Sequence, residues 1–218
     1  MHDNNIQLSK TMSNILISIG RTADLNNRII DLSQAHSILI AGGSESLRNA
    51  LIHSIQAELE AAAVDVVYMD SKGLSRIVEE VTTIESFASE IDERLKNGTP
   101  DSEEKVLIVS DYADYILMPG KEGRAYASRV RKSVEHIAKK GKDAGMHVIL
   151  VVGRPCVDVL SNSLKKDFPT RICFKTLTGV DSFAVINLRK ACEIESNQLV
   201  LCREYEYEVL NVLPCARD

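Results

Sequence analysis

The 218-residue sequence contains no tryptophan, and only 5% of it is aromatic. Binding unpaired bases on a sheet or groove needs exposed aromatic side chains, so single-strand recognition of the OB-fold or RRM kind has little support. No apolar run approaches the roughly 18 residues of a membrane helix. The opening MHDNNIQLSK lacks the basic-then-apolar layout of a secretory signal. The expectation is a soluble, cytoplasmic protein with no membrane segment. Cysteines stand at 156, 173, 192, 202 and 215, odd in number and without a C-x-x-C pair, which reads as reduced thiols rather than disulfides or zinc. The histidines (2, 36, 53, 136, 147) show no ligand spacing either, so no metal site is expected. Positive charge is also short: 26 Lys+Arg against 31 Asp+Glu gives −5, which argues against a globally basic nucleic-acid binder.

What is present is an ordinary globular balance, 44% hydrophobic and 26% charged, too apolar for a disordered tail. Strand-length apolar runs alternate with longer helical patterns: Ile15–Ile19, Ser37–Ala41, Val64–Met69, Val106–Val109, Val148–Val152 and Arg171–Phe174. Several are apolar at nearly every position, as strands covered on both faces are, so the pattern predicts an α/β domain with a mainly parallel central sheet. Helices are predicted over Leu47–Ala62, Ile84–Leu95 (ended by Asn97-Gly98-Thr99-Pro100) and about Arg124–Lys140, where Val130, Val134 and Ile137 form one stripe before Gly141. Gln198–Arg203 and Glu206–Val212, with Tyr205 between them, read as a closing hairpin. One domain over 15–214 is expected, with a 1–14 extension and a 215–218 tail.

Strand Ser37–Ala41 runs straight into Gly42, Gly43, Ser44, Glu45, Ser46, Leu47, Arg48 and Asn49, ahead of a helix. That is the setting of a phosphate-binding loop, in which backbone N–H groups and a helix N-terminus face the anion. Against G-x-x-x-x-G-K-[ST], however, only Gly42 fits, because Leu47, Arg48 and Asn49 occupy the last three positions. Leucine brings a bulky side chain where glycine lets the loop close. Arginine keeps the charge but in a wide planar fork, and asparagine offers an amide where a hydroxyl would hold Mg²⁺. An ordinary strand-to-helix turn is the competing reading.

Further along stand Lys139-Lys140-Gly141-Lys142-Asp143-Ala144-Gly145-Met146-His147, Gly153-Arg154-Pro155-Cys156-Val157-Asp158-Val159-Leu160, Phe168-Pro169-Thr170-Arg171-Ile172-Cys173-Phe174 and Val180-Asp181-Ser182. In order and spacing these resemble the KGRAAGIH, QRPSVDVI, IPTRIAF and IDS segments of the FtsK/SpoIIIE family of DNA translocase motor domains. The resemblance runs from about Ile17 to Pro214. It implies a three-layer RecA-like P-loop NTPase fold, ATP as the nucleotide with Mg²⁺ as its companion, duplex DNA as a partner, and self-association or assembly with an active relative. It also implies that residues 42–49 are the nucleotide-binding loop. The 218 residues suffice for one motor core, and neither a membrane anchor nor a sequence-reading module is expected beside it.

The departures fall where ATP chemistry would be. Hydrolysis uses an acidic pair at the end of a neighbouring strand. Here Val106–Val109 ends in Ser110-Asp111-Tyr112-Ala113-Asp114, so the first acid is a serine and the second the shorter Asp111. Asp111 is the one carboxylate nominated as a base, against the plainer reading of a solvated strand-end acid. The family's polar sensor position holds Gly153. The expectation is weak or no ATP hydrolysis, with an active translocase using divergent motifs as the alternative.

Charge is unevenly spread. Residues 121–143 carry eight basic side chains against three acidic ones, a net +5 that leaves −10 for the remainder. Arg131, Lys132 and Lys139 on this helix, with Lys165 in the loop before Pro169, are the candidate contacts to a duplex backbone; a solvated helix face is the competing reading.

Overall fold

The computed structural model describes residues 14–70, 77–97, 103–117, 120–203 and 206–213. The expected helix stop at Gly98-Thr99-Pro100, Tyr205 and the flanking segments apart from Asn14 lie outside them. In chain order the elements are β1 (Leu16–Arg21), β2 (Asn27–Asp31), α1 (Leu32–Ala35), β3 (Ser37–Ala41), α2 (Glu45–Ala61), β4 (Asp65–Asp70), α3 (Ile77–Asn97) and β5 (Lys105–Ser110). They continue with α4 (Tyr112–Ile116), α5 (Gly120–Lys140), a 3-10 turn (Gly141–Ala144), β6 (Met146–Val152), α6 (Asn162–Lys166) and β7 (Thr170–Phe174). The last are α7 (Gly179–Ile186), a second 3-10 turn (Lys190–Cys192), β8 (Gln198–Arg203) and β9 (Glu206–Asn211).

The nine strands form one sheet in the order β2-β1-β9-β8-β7-β3-β6-β5-β4. Its centre is what the unbroken apolar runs predict: every residue of β3, β6 and β7 is buried. Alternate side chains serve opposite faces. Ile38 and Ile40 join Ile52, Ile55 and Leu59 of α2 on one side, while Leu39 and Ala41 join the cluster built on α3 and α5 on the other. Val130, Val134 and Ile137 are the buried stripe of α5, as their spacing predicts.

The expectation of a mainly parallel sheet needs correction. Four strand pairings are parallel (β3 with β6 and β7, β5 with β4 and β6), and four are antiparallel (β1 with β2 and β9, β8 with β7 and β9). For β1–β2 and β8–β9 the cause lies in the connections. A parallel return needs a crossover of a dozen or more residues, which the helical segments after β3, β4 and β5 supply. The five residues between β1 and β2 and the two between β8 and β9 are too few, and these strands can only double back. β2 itself was not predicted: three of its five residues are exposed and its sequence has no period to read.

Candidate functional site

The carboxyl ends of β3, β5, β6 and β7 meet at one edge of the sheet, where the candidate loop lies. Helix α2 begins at Glu45, two residues before its periodicity indicates, because Ser44 is its N-cap: the Ser44 hydroxyl accepts from the Leu47 N–H at 3.3 Å. Only Gly42, Gly43 and Ser44 are left to join strand to helix. Both glycines have positive φ (76° and 65°), and a Cβ on Gly43 would stand 2.7 Å from that of Phe174 on β7. Their N–H groups are committed, Gly42 to the Val152 carbonyl at 3.2 Å and Gly43 to that of Lys175 at 3.0 Å. Leu47 packs against the α2-side core. Ser44, Glu45 and Ser46 are exposed, and Asn49 is half-buried one position beyond Arg48.

Arg48 does not reach outward. Its residue is 7% exposed, and Nη1 donates to the carbonyls of Gly42 and Gly43, each at 2.9 Å. The guanidinium therefore lies inside the turn whose backbone would have to receive a phosphate. The end of β6 makes room for it: a Cβ at Gly153 would come within 2.8 Å of Arg48 Nη2. No carboxylate pairs with this cation within ion-pair distance among the described residues. Burial lowers its pKa, with Asp111 and Glu45 pulling the other way.

Asp111 follows Ser110, which ends β5 and is buried. It turns the chain into α4 in a left-handed conformation (φ 50°, ψ 40°) without using its side chain as a cap. Burial raises its carboxyl pKa; Arg48 opposes that rise, and Asp114, Asp70 and Glu45 add to it. Asp70 ends β4 in register with Ser110. The structure thus gathers Arg48, Asp111, Asp70 and Glu45 into one electrostatic neighbourhood at the sheet's carboxyl edge. Among the described residues no three His, Cys, Asp or Glu side chains form a metal-sized group.

Beside the loop is a cleft of about 490 Å³, lined by Gly42, Gly43, Gly153, Arg154, Lys175, Thr176, Leu177, Thr178 and Asp181. Residues 175–178 had no place in the sequence argument. Their signal is positional: they follow β7, the other parallel neighbour of β3, so their connection flanks the β3 turn. Thr178 caps α7 through the Asp181 N–H, and Lys175 donates to the Ile194 carbonyl at 2.7 Å.

The four candidate DNA-contacting residues are differently placed. Arg131 donates inward to the carbonyls of Asp158 and Val159, holding the turn after β6. Lys139 pairs with Asp167 at 3.4 Å and Glu135 at 4.0 Å. Lys165 is 8% exposed and donates to Asn187 Oδ1 at 2.8 Å beneath the Phe183 ring. Lys132 is exposed with no partner among the described residues. Elsewhere on α5, Arg129 is held by Glu85 of α3 through two bonds of 2.7 and 2.6 Å, and Lys140 by Asp92 at 3.8 Å. Much of the local +5 is therefore answered by acids on neighbouring elements. No described helix is long and apolar enough to cross a membrane.

No protein-family model matches the chain. Curated relatives do. A "DNA translocase FtsK" of Lactococcus lactis subsp. cremoris is 24% identical over 220 aligned residues, covering 80% of this chain and 28% of that protein. The FtsK of Pseudomonas aeruginosa is 29% identical over 148 residues, covering 64% of this chain and 17% of its own length. That of Bradyrhizobium diazoefficiens reaches 36% over 81 residues, 37% of this chain and 9% of its own. The chain thus spans under a third of the length of these relatives. Among solved structures, the conjugation coupling protein TcpA of pCW3, in its monomer form with ATPγS, superposes with a TM-score of 0.80 at 17% identity, over 97% of this chain and 68% of TcpA. The cytoplasmic domain of the Thermomonospora curvata type VII secretion ATPase EccC gives 0.70 at 14%, over 91% and 28%. These superpositions establish the RecA-like P-loop fold. The curated alignments, together with the ordered motifs of residues 139–182, make the chain similar to the FtsK DNA translocases over most of its length.

Proposed function

We propose that this domain serves a DNA-translocation or secretion assembly as a member with weak or no ATP hydrolysis, associating with DNA or with other copies or relatives rather than driving movement itself. The observation that carries this reading is the Arg48 guanidinium bonded to the Gly42 and Gly43 carbonyls inside the loop. A phosphate cradle works by pointing donors at the anion. Here two N–H groups are turned to the carbonyls of Val152 in β6 and Lys175 just after β7, one is spent on the Ser44 cap, and the turn's own carbonyls face a resident cation. The acid side agrees: Ser110 has no carboxylate to organise a metal and water, and Asp111 is carried on a backbone kink with no hydrogen bond from the described residues to orient it.

Nucleotide binding in this reading is weak, because ATP must displace Arg48 before its phosphates can enter. The alternative, an active translocase using Asp111 as base, draws on the raised Asp111 pKa and its electrostatic coupling to Arg48. Phosphate release from Mg-ATP, measured with and without long duplex DNA, separates the two. Our reading expects no stimulation by DNA. Stimulated turnover that disappears in Asp111→Asn would establish the alternative.

A further inference from the structure

The side chain that fills the loop and the missing side chain beside it are matched in space. Arg48 belongs to α2, and Gly153 follows β6, 105 positions later in the numbering. A Cβ on Gly153 would meet Nη2 at 2.8 Å and Cζ at 3.4 Å, and no other atom ranks among its three nearest except Nη1 at 3.9 Å. The obstruction is the far end of a flexible side chain, so the chain could yield by lifting the guanidinium without moving backbone. Arg48 is also held incompletely. Nη1 makes both of its hydrogen bonds; Nε and Nη2 make none among the described residues, though the residue is more than nine-tenths buried. A guanidinium with Nε and Nη2 free of protein partners among the described residues, and no carboxylate within ion-pair distance, is a cation whose bonding an oxyanion would complete.

We propose that Gly153 and Arg48 act together as a latch on an oligophosphate site: with no side chain at 153 the guanidinium lies down in the Gly42–Gly43 turn and closes it, and a side chain at 153 lifts the guanidinium and makes Arg48 an anion ligand. The inference deepens the weak-nucleotide reading and rests on it. The site's chemistry is that of a chain of phosphates recognised by a cation at a strand-to-helix turn, with the base and sugar contributing through the adjoining cleft. The competition is intramolecular. Arg48 is tethered four residues from Ser44, so its effective concentration at the turn far exceeds that of a free ligand, and the apparent affinity falls by the fraction of molecules in which the latch is open.

The test uses the whole chain and inorganic tripolyphosphate, with ADP as a second probe, titrated by calorimetry. Gly153→Ala is expected to bind tripolyphosphate at least about ten-fold more tightly than the unsubstituted protein, consistent with opening a mostly closed site. Adding Arg48→Ala to Gly153→Ala is expected to abolish that gain, because the lifted arginine is the ligand. Arg48→Lys, whose ammonium ends one bond short of the Nη1 position that bonds both carbonyls, is expected to bind more tightly than the unsubstituted protein as well, and it tests the latch if Gly153→Ala folds poorly. Folding of each variant is checked by its thermal transition. Equal tripolyphosphate affinity in the unsubstituted protein, Gly153→Ala and Arg48→Lys overturns the latch, as does a gain in Gly153→Ala that survives removal of Arg48. Neither outcome bears on whether the unsubstituted protein turns over ATP with DNA, so failure of the latch and failure of the proposed function are told apart.

Discussion

Replacing Gly43 by alanine measures how firmly the β3 turn is shaped. Two costs add. The residue sits at φ 65°, where a Cβ costs about 1–2 kcal/mol. The new methyl also stands 2.7 Å from Phe174 Cβ, on a side chain that is fully buried in β7 and has little freedom to retreat; overpacking of this kind costs about 1–3 kcal/mol. Loss of unfolded-chain freedom returns about 0.4–1 kcal/mol. The net is about 1–4.6 kcal/mol, or a drop of about 2–18 °C in Tm for a chain of this size. Gly120→Ala supplies the control, since Gly120 has φ 85° but nothing within 4 Å of its would-be Cβ, and it carries only the backbone cost of about 1 kcal/mol. Urea titration of both variants, with equal m-values checked, gives the difference directly. Equal destabilisation would refute the argument that Phe174 clamps the turn, and with it the reason the Gly42 and Gly43 carbonyls face Arg48.

Asp111→Asn is expected to stabilise the fold at neutral pH. A carboxyl whose folded pKa is raised binds more protons folded than unfolded between its free value of 3.8 and the folded value, so stability falls as pH rises through that window; the amide removes the dependence and also suits the left-handed backbone. Denaturation midpoints against pH check it. Lys165→Met is expected to be at least as stable as the lysine form at neutral pH. Burial lowers the Lys165 pKa, so between the lowered value and the free-lysine 10.5 the unfolded chain holds more protons and stability rises with pH, a rise the methionine variant should lack. Arg131→Gln should cost about 1–3 kcal/mol by leaving the Asp158 and Val159 carbonyls without their charged donor. Lys132→Gln should leave Tm unchanged and reduce the salt slope of any duplex binding by about 0.9, the value of one phosphate contact; an unchanged slope returns α5 to a merely solvated face.

The parallel half of the sheet and the stripe on α5 were legible because continuous apolar runs and 3.6-residue spacing are local signals. So was the β8–β9 hairpin, from two short runs with two residues between them. The antiparallel half was not, since β2 is polar and mostly exposed and nothing local says that β9 meets β1 through Arg21 and Asn211. At the site, the types and order of residues 42–49 showed that the loop departs from a phosphate cradle. They could not show which way Arg48 turns, because that depends on empty space at Gly153, brought alongside only by the pairing of β3 with β6. The early start of α2 did have a local signal, Ser44 as a cap, outweighed by the first apolar residue of the helix. The basic strip on α5 looked open for a similar reason: Glu85 and Asp92, which answer Arg129 and Lys140, lie on α3.

The central claim is that Arg48 closes the loop against nucleotide. Calorimetric titration of the unsubstituted protein with ATP, with and without Mg²⁺, tests it most directly. The account predicts binding no tighter than about 1 mM and indifferent to Mg²⁺, corresponding to about −4 kcal/mol. Micromolar binding that requires Mg²⁺ would contradict it, because a loop occupied by its own guanidinium cannot present a metal-chelated triphosphate site at that affinity.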